Sequence, residues 1–473
     1  MKTGSAVLTA GLGVASRATG QISALVLVLV AARFLAPADF GVFSLAAAGI
    51  TLIRSQLYAG AFEYLLKAAD PDRVSNACLA INLAMSLVLS FLLVAGVAVA
   101  SPLFGSPSLI LVVAAMAPST LIAAFSAWQE SLFLRGKGVK PYYAITAATE
   151  IVSGAVGIGL LFANWGIWAL VAQVYLRTLI LLCAYLALQP PRFAGLVNGS
   201  TLSEVAEWSW PRYSALTLNF LSNYGADFIL GALLSPRATG LYRAGNRIAS
   251  SVSDLFAQPA TLIGGTAYSR RAANGLQAED VWPRILLAAC FVGWPALAGL
   301  SVVAGDLTPI LLGSAWTSAG PVIAVLCLAR AAALISACIS PYLVAYNQGR
   351  LVLTVQACMA MLTIAGLFVA ARFGVEYASL WVAAVMIGAN IGLVSLAQRL
   401  KAAPGGILLR NAFIVSVAVA ATAMPAFLVL KVVPGDIVWR LPVAILAGLG
   451  GWGLTLALFR TPVIDAVRAL DHR

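Results

Sequence analysis

Ala32-Arg33-Phe34-Leu35-Ala36-Pro37-Ala38-Asp39-Phe40-Gly41-Val42-Phe43-Ser44 is a short polar break between two long apolar runs, and it has a second copy. In Leu233-Leu234-Ser235-Pro236-Arg237-Ala238-Thr239-Gly240-Leu241-Tyr242-Arg243-Ala244, Pro236 falls over Pro37, Gly240 over Gly41 and Tyr242 over Phe43. A weaker echo sets Asn164-Trp165-Gly166-Ile167 against Arg372-Phe373-Gly374-Val375 at nearly the same spacing. The lost N–H of a proline costs nothing in the first helical turn, where that donor has no intrahelical acceptor, so Pro37 and Pro236 restart helices after tight reversals. A chance P-x-x-x-G match between two apolar segments is the competing explanation, and the second echo weighs against it. One module used twice is also a common plan of membrane transporters.

The chain has 473 residues, of which 61% are hydrophobic and only 10% charged. Its mean hydropathy is +0.95. That composition excludes an ordinary soluble domain. Apolar runs of about twenty residues, each long enough to cross roughly 30 Å of hydrocarbon as a helix, recur along the chain. They predict an all-α polytopic membrane protein with about fourteen transmembrane helices, in two six-helix lobes plus two C-terminal helices. The expected divisions are an N-lobe over 1–188, a cytoplasmic or interfacial connector over 189–212, a C-lobe over 213–399, and the last two helices with a tail over 400–473. Most of the 29 Lys and Arg fall into alternate loops, which by the positive-inside rule puts both termini in the cytoplasm. The net charge of +12 therefore reads as a topology signal and not as a nucleic-acid surface. The first apolar run pairs with an internal counterpart, so it is read as a span and not as a cleaved signal peptide.

Within the connector, Thr201-Leu202-Ser203-Glu204 fits a capping box, and Trp208 and Trp210 suit a helix entering the headgroup layer. Pro118, Pro259, Pro295, Pro341 and Pro425 predict bends inside spans. The six cysteines lie in apolar runs without ligand spacing and are expected to be buried thiols. With His472 as the single histidine, His-based metal sites and Ser-His or Cys-His catalysis have no basis. No cofactor or metal is expected.

Arg54, Glu150, Arg177, Asp227, Arg247, Asp254 and Arg330 lie deep in predicted spans. An ionisable group there costs roughly 2.5–3.5 kcal/mol unless it is paired or hydrated. Arg243, Arg247, Ser250 and Asp254 share one helical stripe, Asn219, Asn223 and Asp227 a second, Tyr143, Thr146, Glu150 and Ser153 a third, and Gln173 with Arg177 a fourth. Such stripes are unstable against lipid and are expected to line the gap between the halves. The competing reading, interhelical ion pairs with a purely structural role, is stronger for any one residue than for the set.

The stretch Ala32 to Ser44 and the onward run Ala46 to Ile53 resemble the polysaccharide transport family of lipid-linked oligosaccharide flippases. That family lies within the multidrug, oligosaccharidyl-lipid and polysaccharide exporter superfamily. The resemblance implies a bacterial inner-membrane protein that turns a polyprenyl-pyrophosphate-linked glycan between leaflets. Membrane lipids surround it, and a glycan polymerase and chain-length machinery stand downstream. It also implies a diphosphate site, for which guanidinium groups are suited because they stay charged and bind oxygens bidentately. Arg54, Arg247 and Arg330 are the expected site, with Arg177, Arg243 and Arg17 as further candidates and Glu150, Asp227 and Asp254 as cavity or coupling acids. Related lipid II flippases are similar in having arginines on the first, second and eighth spans, which Arg17, Arg54 and Arg243 or Arg247 match. Only one arginine lies well inside this first span, so a surface or secreted polysaccharide unit is preferred as cargo. A multidrug antiporter of the same superfamily stays open, although its cavity should be dominated by acids. A polytopic glycan polymerase or ligase should carry a long outer loop rich in carboxylates, which is missing here.

Overall fold

The structure, a computed structural model, describes residues 3–195, 197–276, 279, 281–399 and 405–462. His472 and most of the C-terminal tail lie outside them, as do the side chains of Asn219 and Asn223. The described residues form α-helices without strands. In order these are α1 (Thr3–Phe34), α2 (Pro37–Leu57), α3 (Ala61–Lys67), α4 (Pro71–Phe104), α5 (Ser108–Met116), α6 (Ser119–Lys137), α7 (Val139–Phe162) and α8 (Ile167–Leu188). There follow α9 (Gly199–Leu233), α10 (Pro236–Ala273), α11 (Trp282–Leu312), α12 (Ala319–Ala345), α13 (Gly349–Ala370), α14 (Val375–Arg399), α15 (Gly405–Val432) and α16 (Ile437–Leu458). Taking α2 with α3 and α5 with α6 as single traverses, 12 are long and apolar enough to cross a membrane. The remaining two, α9 and α10, have 35 and 38 residues, ample length but more polar faces. Counted with them, the long helical segments among the described residues number fourteen.

The repeated break has the same local structure in both copies. After α1 ends, Leu35-Ala36 intervene and Pro37 opens α2, while after α9 ends, Leu234-Ser235 intervene and Pro236 opens α10. The weaker echo matches too, since Gly166 precedes α8 at φ 56° and Gly374 precedes α14 at φ 114°. Both glycines occupy backbone that a side chain disfavours.

The chain divides into two compact units, residues 1–240 and 241–473. In the first, α2 packs on α5 through Val42, Leu45, Ala46 and Ile50 against Leu109, Val112, Val113 and Met116. Ile53 and Leu57 continue that face against Ala123, Ala124 and Ala127 of α6. Hydroxyls join α1 to α7, with Ser16 Oγ donating to the Tyr143 carbonyl at 3.1 Å and Ser23 Oγ to the Glu150 carbonyl at 2.9 Å. In the second unit α11, α12, α14, α15 and α16 pack side by side, with Trp282, Ile285, Cys338, Ile339, Tyr342 and Leu393 in a shared core. At the α15–α16 crossing a Cβ on Gly448 would stand 3.0 Å from the Thr422 carbonyl oxygen. Small residues of this kind let membrane helices approach closely where no hydrophobic force drives them together.

Pro259, Pro295, Pro341 and Pro425 lie within helices, and Pro118 separates α5 from α6. A further break, Tyr58-Ala59-Gly60, splits the second traverse. Gly60 has φ 45°, and Ala61 N donates to Tyr213 Oη at 3.0 Å, so the break is closed by a tertiary partner. Cys78, Cys290, Cys327 and Cys338 are buried, whereas Cys183 and Cys358 are exposed and not buried as expected. Both sit on membrane-length helices, α8 and α13.

The connector is helical earlier than the sequence suggests. Asn198, not Thr201, caps α9: its Oδ1 accepts from Thr201 N at 2.9 Å, and Thr201 Oγ1 accepts from Asn198 N at 3.4 Å. Asparagine competes with serine and threonine for this position, and the reversed choice frees Glu204 for other work. Glu204 receives the Tyr64 hydroxyl and Arg73 Nη2, the latter at 2.7 Å. Arg212 Nε donates to Glu63 Oε2 at 2.8 Å. Trp208 lies under Arg212, whose Cζ is 3.4 Å from the ring centroid, with Lys67 Nζ at 4.4 Å, so cation–π attraction joins the ion pairs in fastening α9 to α3 and α4.

The Tyr64 and Arg73 contacts hold the Glu204 carboxyl below its ordinary range. A lowered folded-state value means that this fastening is complete above the unfolded carboxyl pKa of about 4.3 and is lost as pH falls through the folded value. Amide protection over 199–212, taken relative to the intrinsic exchange rate at each pH, is therefore expected to hold from neutral pH down to about 4.5 and to fall below it, with Glu204→Gln losing protection already at neutral pH.

Gly41 and Gly240 lie against each other's helix starts. A Cβ on Gly41 would overlap the Pro236 carbonyl and stand 3.0 Å from Gly240 N, and one on Gly240 would overlap the Pro37 carbonyl and stand 3.1 Å from Gly41 N. Gly41→Ala and Gly240→Ala should each cost on the order of 1–3 kcal/mol through overpacking against backbone. Gly96→Ala, where a Cβ meets nothing within 4 Å, should be neutral or stabilising by up to about 1 kcal/mol from helix propensity. Thermal unfolding in detergent separates the two outcomes.

Candidate functional site

Polar groups that the sequence places deep in spans gather into one cluster in each unit. In the first unit, Arg54 leaves the last turn of α2 and its Nη1 donates to Thr178 Oγ1 on α8 at 2.8 Å. Thr178 is fully buried and is itself anchored, its hydroxyl donating to the Val174 carbonyl at 2.9 Å. One residue earlier on α8, Arg177 Nε donates to Glu150 Oε1 of α7 at 2.7 Å. On the same two helices Gln173 Nε2 reaches Ser153 Oγ at 3.4 Å. The charges of Arg177, Glu150 and Glu130 all act on Arg54.

Glu130 is the member that sequence reasoning missed. It is 5% exposed on α6, yet it lies little more than a turn before the basic segment Arg135 to Lys140, so it reads as the polar inner end of a span. A carboxylate inside an apolar helix was the available signal. Gln56 is a second omission, buried on α2 with its Nε2 donating to Thr217 Oγ1 of α9 at 2.9 Å.

In the second unit, Arg330 of α12 donates from Nε and Nη2 to Asn246 Oδ1 of α10 at 3.1 and 2.6 Å. Two turns further along α10, Ser253 Oγ donates to the Arg330 carbonyl at 3.2 Å. Arg247 and Asp254 share the α10 face, and the charges of Arg330 and Arg247 both act on Asp254. Arg243 is half-buried one turn before Arg247. The structure thus brings together Arg54, Arg177 and Glu150 in one unit, and Arg247, Asp254 and Arg330 in the other. Arg17 stands exposed on α1, and among the described residues no hydrogen bond or ion pair joins it to Arg54. Asp227 is 1% exposed and its carbonyl accepts from Thr239 Oγ1 at 3.2 Å, next to the Pro236 break.

A further pair lies apart from both clusters, Arg440 Nη2 of α16 with Asp306 Oδ2 of α11 at 3.4 Å. Among the described residues no group of three or more His, Cys, Asp or Glu converges on a point where a metal could sit.

Membrane-length helices in two units, with arginines held inside them, define a polytopic membrane fold. It matches the lipid II flippase MurJ in an inward closed conformation with a TM-score of 0.72 at 13% identity, over 96% of this chain and 99% of that one. An inward-facing multidrug resistance MATE family transporter of the MOP superfamily matches with a TM-score of 0.64 at 13% identity, over 81% of this chain and 95% of that one. Residues 30–321 match the family model described as Polysaccharide biosynthesis protein, and the chain belongs to that family. The succinoglycan biosynthesis transport protein ExoT of Rhizobium meliloti is 22% identical over 333 residues, 68% of this chain and 66% of that relative. The family expectation raised by the Ala32–Ser44 stretch holds.

Removing one partner of a half-buried ion pair leaves a charge without compensation, whereas removing both does not. Glu150→Ala should therefore lower stability more than Glu150→Ala combined with Arg177→Met, with a coupling of about 1–3 kcal/mol in a double-mutant cycle. Thermal unfolding of the purified proteins reads this out, and additivity would mean that the contact carries no energy.

Proposed function

We propose that this chain is a flippase which moves a polyprenyl-pyrophosphate-linked oligosaccharide across the bacterial inner membrane for surface or secreted polysaccharide, with both termini in the cytoplasm. Membership of the polysaccharide biosynthesis protein family supports the cargo class. Similarity to a succinoglycan biosynthesis transport protein supports the same reading, and the MurJ-like fold supports the mode of movement.

The observation that carries the proposal is the way two arginines are held. The Arg54 guanidinium donates to a threonine hydroxyl and the Arg330 guanidinium to an asparagine amide oxygen, and a neutral acceptor of this kind orients the group. A diphosphate offers such a group oxygens for two parallel N–H···O bonds, and charge-assisted bonds of this kind are roughly twice as strong as neutral ones. In this mechanism Arg54, Arg247 and Arg330 receive the pyrophosphate, Arg243 guides it, and Asp254 holds Arg247 when no substrate is present. Arg177 is engaged by Glu150 and joins when that pair opens. The lobes 1–188 and 213–399 then alternate access around the bound headgroup, and no covalent bond is made or broken. The lipid II alternative leans on arginines of the first, second and eighth spans, here α1, α2 and α10, and Arg17 joins neither cluster, which weakens it. The flipped unit passes to a polymerase and its chain-length machinery on the far side.

Arg54→Ala, Arg247→Ala and Arg330→Ala should each reduce polysaccharide export about tenfold or more at normal membrane abundance. The corresponding lysine variants should keep part of the activity, since ammonium retains charge and loses the fork. Normal export by a folded, membrane-inserted Arg247→Ala protein would show that these arginines are structural.

A further inference from the structure

Among the described residues, Glu130 is the acid of the first cluster that no ion pair accounts for. It is 5% exposed, and its surroundings come from every helix that packs on α6. Arg54 comes from α2 and Tyr58 from the break that follows it, Tyr142 from α7, and Arg177 and Tyr185 from α8. The other neighbours, α3 and α4, turn their charged groups Glu63 and Arg73 to Arg212 and Glu204 instead. Tyr185 is fully buried in an aromatic nest with Phe133, ring centroids 5.0 Å apart. The Tyr185 hydroxyl has no hydrogen-bond partner among the described residues, and Tyr142 packs against the same nest, which lies one turn along α6 from Glu130.

This arrangement has two self-consistent charge states. With Glu130 ionised, Glu130 and Glu150 together balance Arg54 and Arg177. When Glu130 takes up one proton on a carboxylate oxygen, the new O–H has tyrosine oxygens to donate to, the arginines keep their protons, and the cluster gains one net positive charge. An anionic ligand is favoured only by the second state. From this geometry we infer that Glu130 is a proton-exchanging carboxyl which competes with the substrate's anionic group for Arg54 and Arg177, so that one proton enters the cluster as the anion binds. The inference rests on the proposed pyrophosphate site and adds to it a residue and a coupled ion.

The test uses the full chain in lipid nanodiscs and undecaprenyl pyrophosphate without sugar as the probe. Its dissociation constant is measured between about pH 5.5 and 8, the range in which a buried carboxyl and the probe's phosphate can both titrate. Titration of the probe is common to all variants and cancels in the difference between them. Wild type should show an additional gain in affinity on acidification, approaching tenfold per pH unit for one linked proton. Glu130→Gln should lack that additional gain and bind at every pH about as tightly as acidified wild type. Difference infrared spectra of wild type should gain a protonated-carboxyl band on binding, a readout that needs no variant to fold. Identical pH profiles in the two proteins, or no such band in wild type, overturns the role of Glu130 and leaves the pyrophosphate site standing. Failure of both proteins to bind the probe at any pH overturns the site and the coupling together.

Discussion

Hydrocarbon has no hydrogen bonds to offer, and almost every feature of this chain follows from that. Backbone N–H and C=O groups must be satisfied within the segment, which leaves helices as the form of every traverse. Charges are held to the same standard. Arg177 meets Glu150, Arg440 meets Asp306, Arg54 meets Thr178 and Arg330 meets Asn246. These contacts fall into two chemical kinds with different consequences. A carboxylate partner meets charge with charge, whereas a hydroxyl or amide partner meets it with a dipole and fixes its direction.

The same constraint explains where small residues are placed. Between lipid-embedded helices apolar surface gains nothing by leaving lipid, so close contact has to come from shape. At the Pro37 and Pro236 breaks this reaches its limit, with each glycine lying against the other's helix start at a distance that no side chain tolerates. The repeat is therefore more than a likeness of two stretches, because its two copies pack directly on each other. Phe91, Val99 and Leu103 on α4, at 72, 83 and 67% exposure, show the opposite regime, in which large apolar side chains face outward because lipid is their solvent.

Polarity concentrates in α9 and α10, the two membrane-length helices that fall short of the apolar density of the other traverses. Their length comes from strong local signals, the Asn198 cap at one end and Pro236 at the other, while their composition serves other needs. The first turns of α9 are fastened by ion pairs and an aromatic ring at the connector. The middle of α10 presents Asn246, Arg247, Ser253 and Asp254 to the second cluster. Helices that carry function in a membrane are those whose sequence departs from what lipid alone would select.

The sequence by itself determined the all-helical class, the number of traverses, the paired proline-glycine breaks, the family and most of the deep ionisable residues. Each of these depends on local rules: run length against hydrocarbon thickness, proline at a helix start, and charge within an apolar window. What only tertiary structure decided is which partner each buried group finds. Pairing Arg177 with Glu150 and Arg54 with Thr178 requires residues far apart in the chain to meet, and so does surrounding Glu130 with Tyr142 and Tyr185. Local periodicity gives the face of a helix but not the neighbour it meets. The same limit accounts for the misplaced cap, where Thr201 and Asn198 were both good candidates and Glu204 was drawn away by Tyr64 and Arg73, and for the exposed thiols of Cys183 and Cys358. An apolar segment in a membrane protein has two solvents to choose between, protein and lipid, and only packing assigns each side chain to one of them.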